Sequence, residues 1–382
     1  MTYVSIVKNA DTAKAVRDAV DLAGGLEVKG TVLIKPNLSC ARPAGSGLVT
    51  NVDVVAAMVR MVAEQGARPV VGDLPILGWD VARVYDATGI RAIEQAGGEL
   101  LNWETNHVEI QLPGAKVLKK VRIAKPAIEA DAIINMPVLK HHFFTHVSGG
   151  MKNLFGLVQP GFRPVVHVLG LDEPLVDLYE FLRPRIVLNV MDATFIAQSV
   201  RASGPYYGPT AARSVSQLNT VLACTDAVAL DAVAADIVGV DPADIEMARI
   251  AAERGLGDIS PRTLGNARDA SLKIRKAPLS RLLPYAEDIW TSERLNRISH
   301  PLVKRLYGDE VISLKEARRD MDEADPSRIR VAGACSQCGL CMSACPAKNI
   351  QLNGQPAFGP KCIKCFICVE ICPDGALAIE RK

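Results

Sequence analysis

Two stretches near the end of this sequence hold four cysteines each, with the same spacing both times. The first stretch begins at Cys335 and ends at Cys345, the second begins at Cys362 and ends at Cys372, and a proline follows each; both read C-x2-C-x2-C-x3-C-P. Zinc ribbons use C-x2-C pairs that are separated along the chain, and a disulfide-linked knuckle has no need for this rhythm. The cysteines therefore organise this part of the fold in another way.

The spacing predicts two iron–sulfur clusters. It is the run of bacterial ferredoxins, in which the fourth cysteine of each copy binds the cluster of the other copy. The expected ligand sets are Cys335, Cys338, Cys341 and Cys372 for the first [4Fe–4S] cluster, and Cys362, Cys365, Cys368 and Cys345 for the second. Such clusters carry single electrons, so the motif predicts an electron-transfer function.

The composition of the whole chain is that of a globular protein with more than one domain. Of its 382 residues, 49% are hydrophobic and 23% are charged, and the net charge of +2 excludes a polyanion binder that works by bulk electrostatics. Thiols that must stay reduced for cluster assembly favour a cytoplasmic location. We expect no signal sequence, no membrane span and no nucleic-acid partner, because the N-terminus and the apolar runs show none of the required patterns.

Short apolar runs alternate with helical patterns over the first 260 or so positions, which predicts an α/β fold. We expect a mostly parallel sheet with helices on both faces, followed by a small α+β ferredoxin-like domain with two [4Fe–4S] clusters. The predicted domains are 1–264 (α/β), 265–328 (a helical linking segment) and 329–382 (the ferredoxin-like domain). The main predicted strands cover 3–7, 31–34, 69–71, 131–136, 186–191 and 220–224, with a hairpin over 108–123 and helices over 11–23 and 227–238.

Three loops that follow predicted strands carry the polar residues of a candidate site, because binding groups in open α/β sheets come from the carboxyl ends of the strands. The candidate substrate-binding residues are Lys35, Asn37, Asp73, Lys140, Gly149, Gly150 and Asn153. The candidate catalytic residues are His141, His142, Lys152 and Tyr206. Histidine titrates near neutrality and a tyrosine can donate a proton, which suits a reductase.

The third loop predicts an anion site. Its Ser-Gly-Gly turn precedes a short helical pattern, so backbone N–H groups at Gly149 and Gly150 would face a carboxylate or phosphate beside Lys152. No Walker A loop and no G-x-G-x-x-G occurs in the sequence, so a nucleotide cofactor has no support. A flavin has no motif here either and stays open.

Several of these residues also have a purely structural interpretation. Lys35 and Asp73 could form an ion pair at the strand ends, and His141 and His142 could be a surface pair. Tyr206 could pack in a glycine-rich turn. Asp226 fits a helix N-cap better than a catalytic acid.

At these loops the chain resembles the domain of unknown function 362 family, whose members often carry a C-terminal two-cluster ferredoxin domain. The resemblance rests on residues 34–38 (IKPNL), 72–73 (GD), 135–141 (NMPVLKH), 149–156 (GGMKNLFG), 192, 204–205 and 226–231. It implies an iron–sulfur protein with a redox role and supplies no reaction.

Two functions fit the sequence. The first is a reductase that takes electrons from an external ferredoxin or flavodoxin and passes them to a small anionic molecule at the three loops. The second is a non-catalytic electron carrier or iron–sulfur maturation partner, with the large domain as a docking platform. Substrate, direction of electron flow and homo-oligomerisation are left open.

Overall fold

The computed structural model describes residues 2–75, 80–142, 146–163, 166, 169–197, 215–267, 328–343, 345, 349–359, 362, 367–370 and 372–380. The chain divides into two compact units, Met1–Ile196 with Ser216–Ile274, and Ala197–Val215 with Arg275–Lys382. Most of the predicted linking segment lies outside the described residues, and the predicted domain boundaries stay predictions.

An eight-stranded sheet forms the centre of the first unit. The strands of this unit are β1 (Tyr3–Lys8), β2 (Thr31–Pro36), β3 (Arg68–Val71), β4 (Glu99–Leu100), β5 (His107–Gln111), β6 (Lys120–Ala124), β7 (Ala132–Met136), β8 (Lys140–His142), β9 (His146–Ser148), β10 (Ile186–Ala197), β11 (Val215–Cys224) and β12 (Arg262–Leu264). The order in the large sheet is β12-β1-β11-β10-β7-β2-β3-β4. Neighbours from β10 to β4 pair in parallel, as β1 and β12 do, whereas β1 and β11 are antiparallel. The predicted mostly parallel α/β fold is confirmed.

The central strands consist of apolar residues because both faces of the sheet are covered. Leu33, Ile34, Ile133 and Ile134 are fully buried, as expected for parallel strands between helices. The helices are α1 (Thr12–Leu22), α2 (Val52–Glu64), α3 (Val81–Thr88), α4 (Pro126–Glu129), α5 (Gly150–Asn153), α6 (Asp172–Leu182), α7 (Ala227–Val238) and α8 (Glu246–Glu253). Helices α1 and α2 pack together, and α5 to α8 form a second packed group.

Side chains fix where these helices begin. The Asp11 carboxylate accepts the Lys14 N–H at the start of α1, and Asn51 accepts the Asp53 N–H at the start of α2. The Asp226 carboxylate accepts two N–H groups at the start of α7, which confirms the predicted N-cap.

Two hairpins lie outside the large sheet. Strands β5 and β6 pair antiparallel around Pro113-Gly114, as predicted. Strands β8 and β9 also pair antiparallel, from Lys140 opposite Ser148 to His142 opposite His146. The predicted third loop therefore includes a short hairpin, and it leads into α5, which is a single helical turn.

The described part of the second unit is a small α+β fold built from two pairs of short strands. Its strands are β13 (Arg328–Val331), β14 (Ile350–Asn353), β15 (Gln355–Phe358) and β16 (Leu377–Glu380), and its helices are α9 (Leu340–Ser343) and α10 (Ile367–Glu370). Strand β13 pairs antiparallel with β16, and β14 with β15. Ile350 and Leu377 pack with Cys341 and Cys368 in a small core. Across the described ranges, no helix is long and apolar enough to cross a membrane.

Candidate functional site

A buried ion pair lies at the carboxyl ends of β2 and β3. The Lys35 Nζ is 2.7 Å from the Asp73 Oδ1, and both side chains are almost fully buried. The Lys35 ammonium also donates to the Pro36 carbonyl at 2.8 Å and to the Asn153 Oδ1 at 3.3 Å. The other Asp73 oxygen accepts the Leu38 N–H at 2.7 Å. The ion pair that the sequence left open is therefore present, and its groups bind each other and the nearby chain.

Asparagine side chains connect this pair to the neighbouring strands. The Asn153 amide donates to the Lys35 carbonyl at 3.1 Å and to the Asn135 Oδ1 at 2.8 Å, and its Oδ1 accepts the Asn37 Nδ2 at 3.0 Å. The Asn135 Nδ2 donates to the Asn189 Oδ1 at 2.9 Å. The sequence reasoning missed Asn189 and gave Asn135 no role of its own. Each of these asparagines stands inside an otherwise apolar strand, and this pattern could have indicated a role because a buried amide needs hydrogen-bond partners.

Lys140 is buried among neutral oxygens. Its ammonium donates to the Leu48 carbonyl at 2.7 Å, the Asn37 Oδ1 at 3.2 Å and the Ser39 Oγ at 3.3 Å. Burial disfavours the charged form and lowers the pKa of Lys140 to about 8. The structure thus brings Lys35, Asn37, Asp73, Lys140 and Asn153 together in one network.

Arg163 adds a further cation that the sequence reasoning missed. Its guanidinium donates to the Pro75 carbonyl at 2.7 Å, the Leu74 carbonyl at 3.1 Å and the Val158 carbonyl at 3.0 Å. It also lies 5.6 Å from the centre of the Phe155 ring. The position carries no sequence motif, so only the folded chain shows that Arg163 belongs to this site.

Lys152, on α5, completes a group of four cations, Lys35, Lys140, Lys152 and Arg163, which we call the cationic cluster. Burial, together with repulsion from the other three members, lowers the pKa of Lys152 to about 7, although the residue as a whole is only half-buried. Asp172 opposes this shift. In the part of the chain that the structure describes, the Lys152 ammonium makes no hydrogen bond and no salt bridge.

The Gly149-Gly150 turn differs from the prediction. The Gly150 N–H donates to the Asp231 carboxylate, and the Met151 N–H donates to its other oxygen at 3.1 Å. A Cβ at Gly149 would lie 2.2 Å from the Asp231 Oδ1. The anion that the Gly150 N–H binds is therefore the protein's own carboxylate from α7, and the expectation of an open donor at Gly150 is corrected. Burial raises the pKa of Asp231 to about 7.

The side chains of the other candidate catalytic residues are not among the described parts of the structure. The backbones of His141 and His142 lie in β8, but their side chains lie outside the described residues, and Tyr206 lies wholly outside them. Their catalytic roles stay predictions.

The cysteines of the second unit suit iron–sulfur clusters by their chemistry. Burial raises the pKa of the Cys341 thiol, and Cys335, Cys338 and Cys372 are close enough to raise it further. The Cys372 sulfur accepts the Ala376 N–H at 3.3 Å, and the Cys345 sulfur accepts the Asn349 N–H at 3.4 Å. Such N–H···S bonds are typical of cluster ligands. Within the described residues no three candidate ligands gather tightly enough for a single metal ion; a four-iron cluster keeps its thiolates further apart.

Two known proteins are similar to parts of this chain. A 30% identical relative over 190 residues is the thylakoid-associated protein sll1697 of Synechocystis; the match covers 46% of this chain and 54% of that protein, so the chain spans about half of its length. A ferredoxin of Methanothermococcus thermolithotrophicus is 29% identical over 48 residues, which are 12% of this chain and 80% of the ferredoxin.

A solved structure, the lactate racemase apoprotein of Thermoanaerobacterium thermosaccharolyticum, matches 59% of this chain and 55% of its own at a TM-score of 0.39 and 12% identity. The α/β fold class follows from the strand order and pairing of the sheet and does not depend on this match. Two family models match the sequence, a 4Fe-4S dicluster domain over residues 328–373 and the Domain of unknown function (DUF362) over residues 32–236. Because the second match spans more than half of the chain, the protein belongs to the DUF362 family and carries an iron–sulfur, ferredoxin-like electron-transfer domain.

Proposed function

We propose that this protein is a reductase that passes single electrons through two [4Fe–4S] clusters to a small anionic organic substrate bound in its α/β unit. The observation that carries the proposal is the cationic cluster. Four positive side chains meet there, and Asp73 is the carboxylate that pairs with Lys35. Buried positive charge of this kind is costly unless an anion compensates it.

Lys152 is the member of the cluster that suits direct contact with the anion. The ammonium groups of Lys35 and Lys140 are each held by protein oxygens at 3.3 Å or less. Lys152 has no such partner in the described ranges. A carboxylate next to Lys152 would form a charge-assisted hydrogen bond, which is stronger than a bond between neutral groups.

The same amine suits proton transfer. A group is an efficient general acid or base when its pKa lies near the operating pH, and the pKa of Lys152 is about 7. Reduction of a carbonyl or of an unsaturated bond consumes two electrons and two protons. When bound, the clusters supply the electrons, one at a time; Lys152 would supply one proton, and His141, His142 or Tyr206 the other.

The proposed partners and location follow the same logic. An external ferredoxin or flavodoxin supplies the electrons, because the clusters of the C-terminal domain would accept one electron at a time. The proposed location is the cytoplasm, which keeps the cluster thiols reduced.

The test is binding and turnover with Lys152→Met. We expect the variant to keep its iron and its fold and to bind small 2-oxo or unsaturated carboxylates about ten- to a hundredfold more weakly, the usual loss for a charge-assisted contact. Dithionite-reduced wild-type protein should be reoxidised by the accepted carboxylate, as followed by visible absorbance. Binding by the wild type should also weaken above about pH 7, where Lys152 must take up a proton to bind the anion.

Lys14→Met is the matched control, because Lys14 lies on the exposed side of α1 and pairs only with Asp18 among the residues described. It should behave as the wild type. Unchanged binding by Lys152→Met would refute the anion site. If no carboxylate binds or reoxidises the wild type, the non-catalytic electron carrier becomes the better proposal, since Lys35 and Lys140 are already bound within the protein.

A further inference from the structure

The two cysteine runs match in spacing but differ in charge. We call the set Cys335, Cys338, Cys341 and Cys372 site 1, and the set Cys362, Cys365, Cys368 and Cys345 site 2. Equivalent positions of the two repeats are those that lie the same number of residues from an equivalent cysteine, so their residue types can be compared along the sequence.

At site 1 a carboxylate joins the two halves of the domain. The Asp374 Oδ2 accepts the Ser336 N–H at 2.8 Å and the Ser336 hydroxyl at 2.6 Å. Ser336 follows Cys335, and Asp374 lies two positions after Cys372. Both cysteines belong to site 1, so these bonds hold a negative charge beside that site.

The equivalent positions at site 2 carry no such pair. Ile363 stands in place of Ser336, and Ala347 stands in place of Asp374. Three lysines instead lie next to or within three residues of the site 2 cysteines: Lys348, Lys361 and Lys364. Glu370 lies between Cys368 of site 2 and Cys372 of site 1 along the chain, so it offsets part of this difference without reversing it.

Hydrogen bonding to the crossing cysteines does not distinguish the sites. Cys345 accepts the N–H four residues further on at 3.4 Å, and Cys372 does the same at 3.3 Å. Cluster type, hydrogen bonds to sulfur, net charge and exposure set the potential of an iron–sulfur cluster. Cluster type and these two hydrogen bonds are the same at both sites, so the proposal rests on the difference in local charge.

We propose that site 2 has the higher reduction potential and that Asp374 keeps the potential of site 1 low. A negative charge disfavours the added electron at site 1, and positive charges favour it at site 2. This inference rests on the occupancy of both sites in the proposed function. An electron from a low-potential one-electron donor to site 1 would then move to site 2, with no bond or proton transferred.

The test is a reductive titration of the anaerobic protein followed by electron paramagnetic resonance. We expect two one-electron steps in the wild type. Asp374→Asn should raise the lower step by about 59 mV, a tenfold change in the one-electron equilibrium, and leave the upper step in place. Lys364→Met should lower the upper step and leave the lower one.

Two further variants separate charge from structure. Asp374→Glu keeps the charge and should keep the lower step near its wild-type potential, and Ser336→Ala should move it less than Asp374→Asn does. If Asp374→Asn fails to assemble its clusters, the Lys364→Met titration decides the order of the two sites.

Iron content separates the question of whether both sites hold clusters from the question of whether their potentials differ. Four iron atoms per chain would refute the occupancy of both sites, and with it the two-cluster part of the proposed function. Eight iron atoms with two coincident steps, or an Asp374→Asn variant in which neither step moves, would refute the unequal potentials alone.

Discussion

Lys35 is both part of the buried interior and part of a charged site. Its ammonium and the Asp73 carboxylate are 2.7 Å apart and almost fully buried. Gly156 packs directly against them, since a Cβ there would lie 2.1 Å from the Asp73 Oδ1 and 2.7 Å from the Lys35 Nζ. A side chain at position 156 would therefore displace the pair.

The first prediction concerns this ion pair. Lys35→Met should lower the free energy of unfolding by about 3–5 kcal/mol, because it leaves a buried carboxylate without its partner. Adding Asp73→Asn should recover much of that loss, since the amide oxygen can still accept the Leu38 N–H. Urea unfolding of the two single variants and the double variant measures the coupling. Additive losses would show that the pair does not contribute as a unit.

At the scale of elements, the short helix α5 depends on a carboxylate from α7. Asp231 accepts two N–H groups at the start of α5 and lies against Gly149 and Gly150. Lys152 follows within the same turn. The contact between Asp231 and α5 therefore holds in place the helical turn that carries Lys152.

The second prediction uses the pH dependence of this contact. Burial raises the pKa of Asp231 to about 7 in the folded protein, above its unfolded value of about 3.9. The folded state thus binds more protons between these two values, and this group's contribution to stability falls as the pH rises from about 4 to 7.

Asp231→Asn should remove that dependence. Above pH 7 it should cost about 1–3 kcal/mol, because the amide offers one acceptor where the carboxylate offers two. The difference in stability between wild type and variant should be larger at pH 5, because the wild type gains stability from this group as the pH falls and the variant does not. Urea unfolding at pH 5 and pH 8 gives the comparison, with Asp18→Asn on α1 as the control, since this carboxylate is partly exposed and pairs with Lys14. A gap of equal size at both pH values would contradict the raised pKa.

The regular elements could be predicted from the sequence because local patterns determine them. The alternation of apolar runs with helical patterns predicts the parallel sheet, and the helix predicted over 227–238 begins and ends at those residues. The hairpin of β8 and β9 was not predicted, because its polar sequence resembles a loop. Arg163 and Asp231 could not be assigned to the site, since their partners lie far away along the chain.

For the whole molecule, the predicted crossing of ligands between the two cysteine runs would join distant parts of the second unit. The residues that raise the Cys341 pKa include Cys372, which belongs to the other run. The strand pair β13–β16 brings the ends of the domain together, with Arg328 opposite Glu380. With the predicted crossing, the fourth ligand of each site would depend on the fold of both repeats.

The last prediction tests this crossing on the complete chain. Cys345→Ala should damage the cluster of Cys362, Cys365 and Cys368, although Cys345 lies beside Cys341 in the sequence, because the fourth ligand crosses over. The variant should keep at least four iron atoms per chain, and the resonance signal of the remaining cluster should be that of site 1. Cys372→Ala is the matched variant and should leave the signal of site 2. Loss of the site 1 signal in Cys345→Ala would show that each run binds its own cluster, and the charge comparison between the two sites would then have to be redrawn.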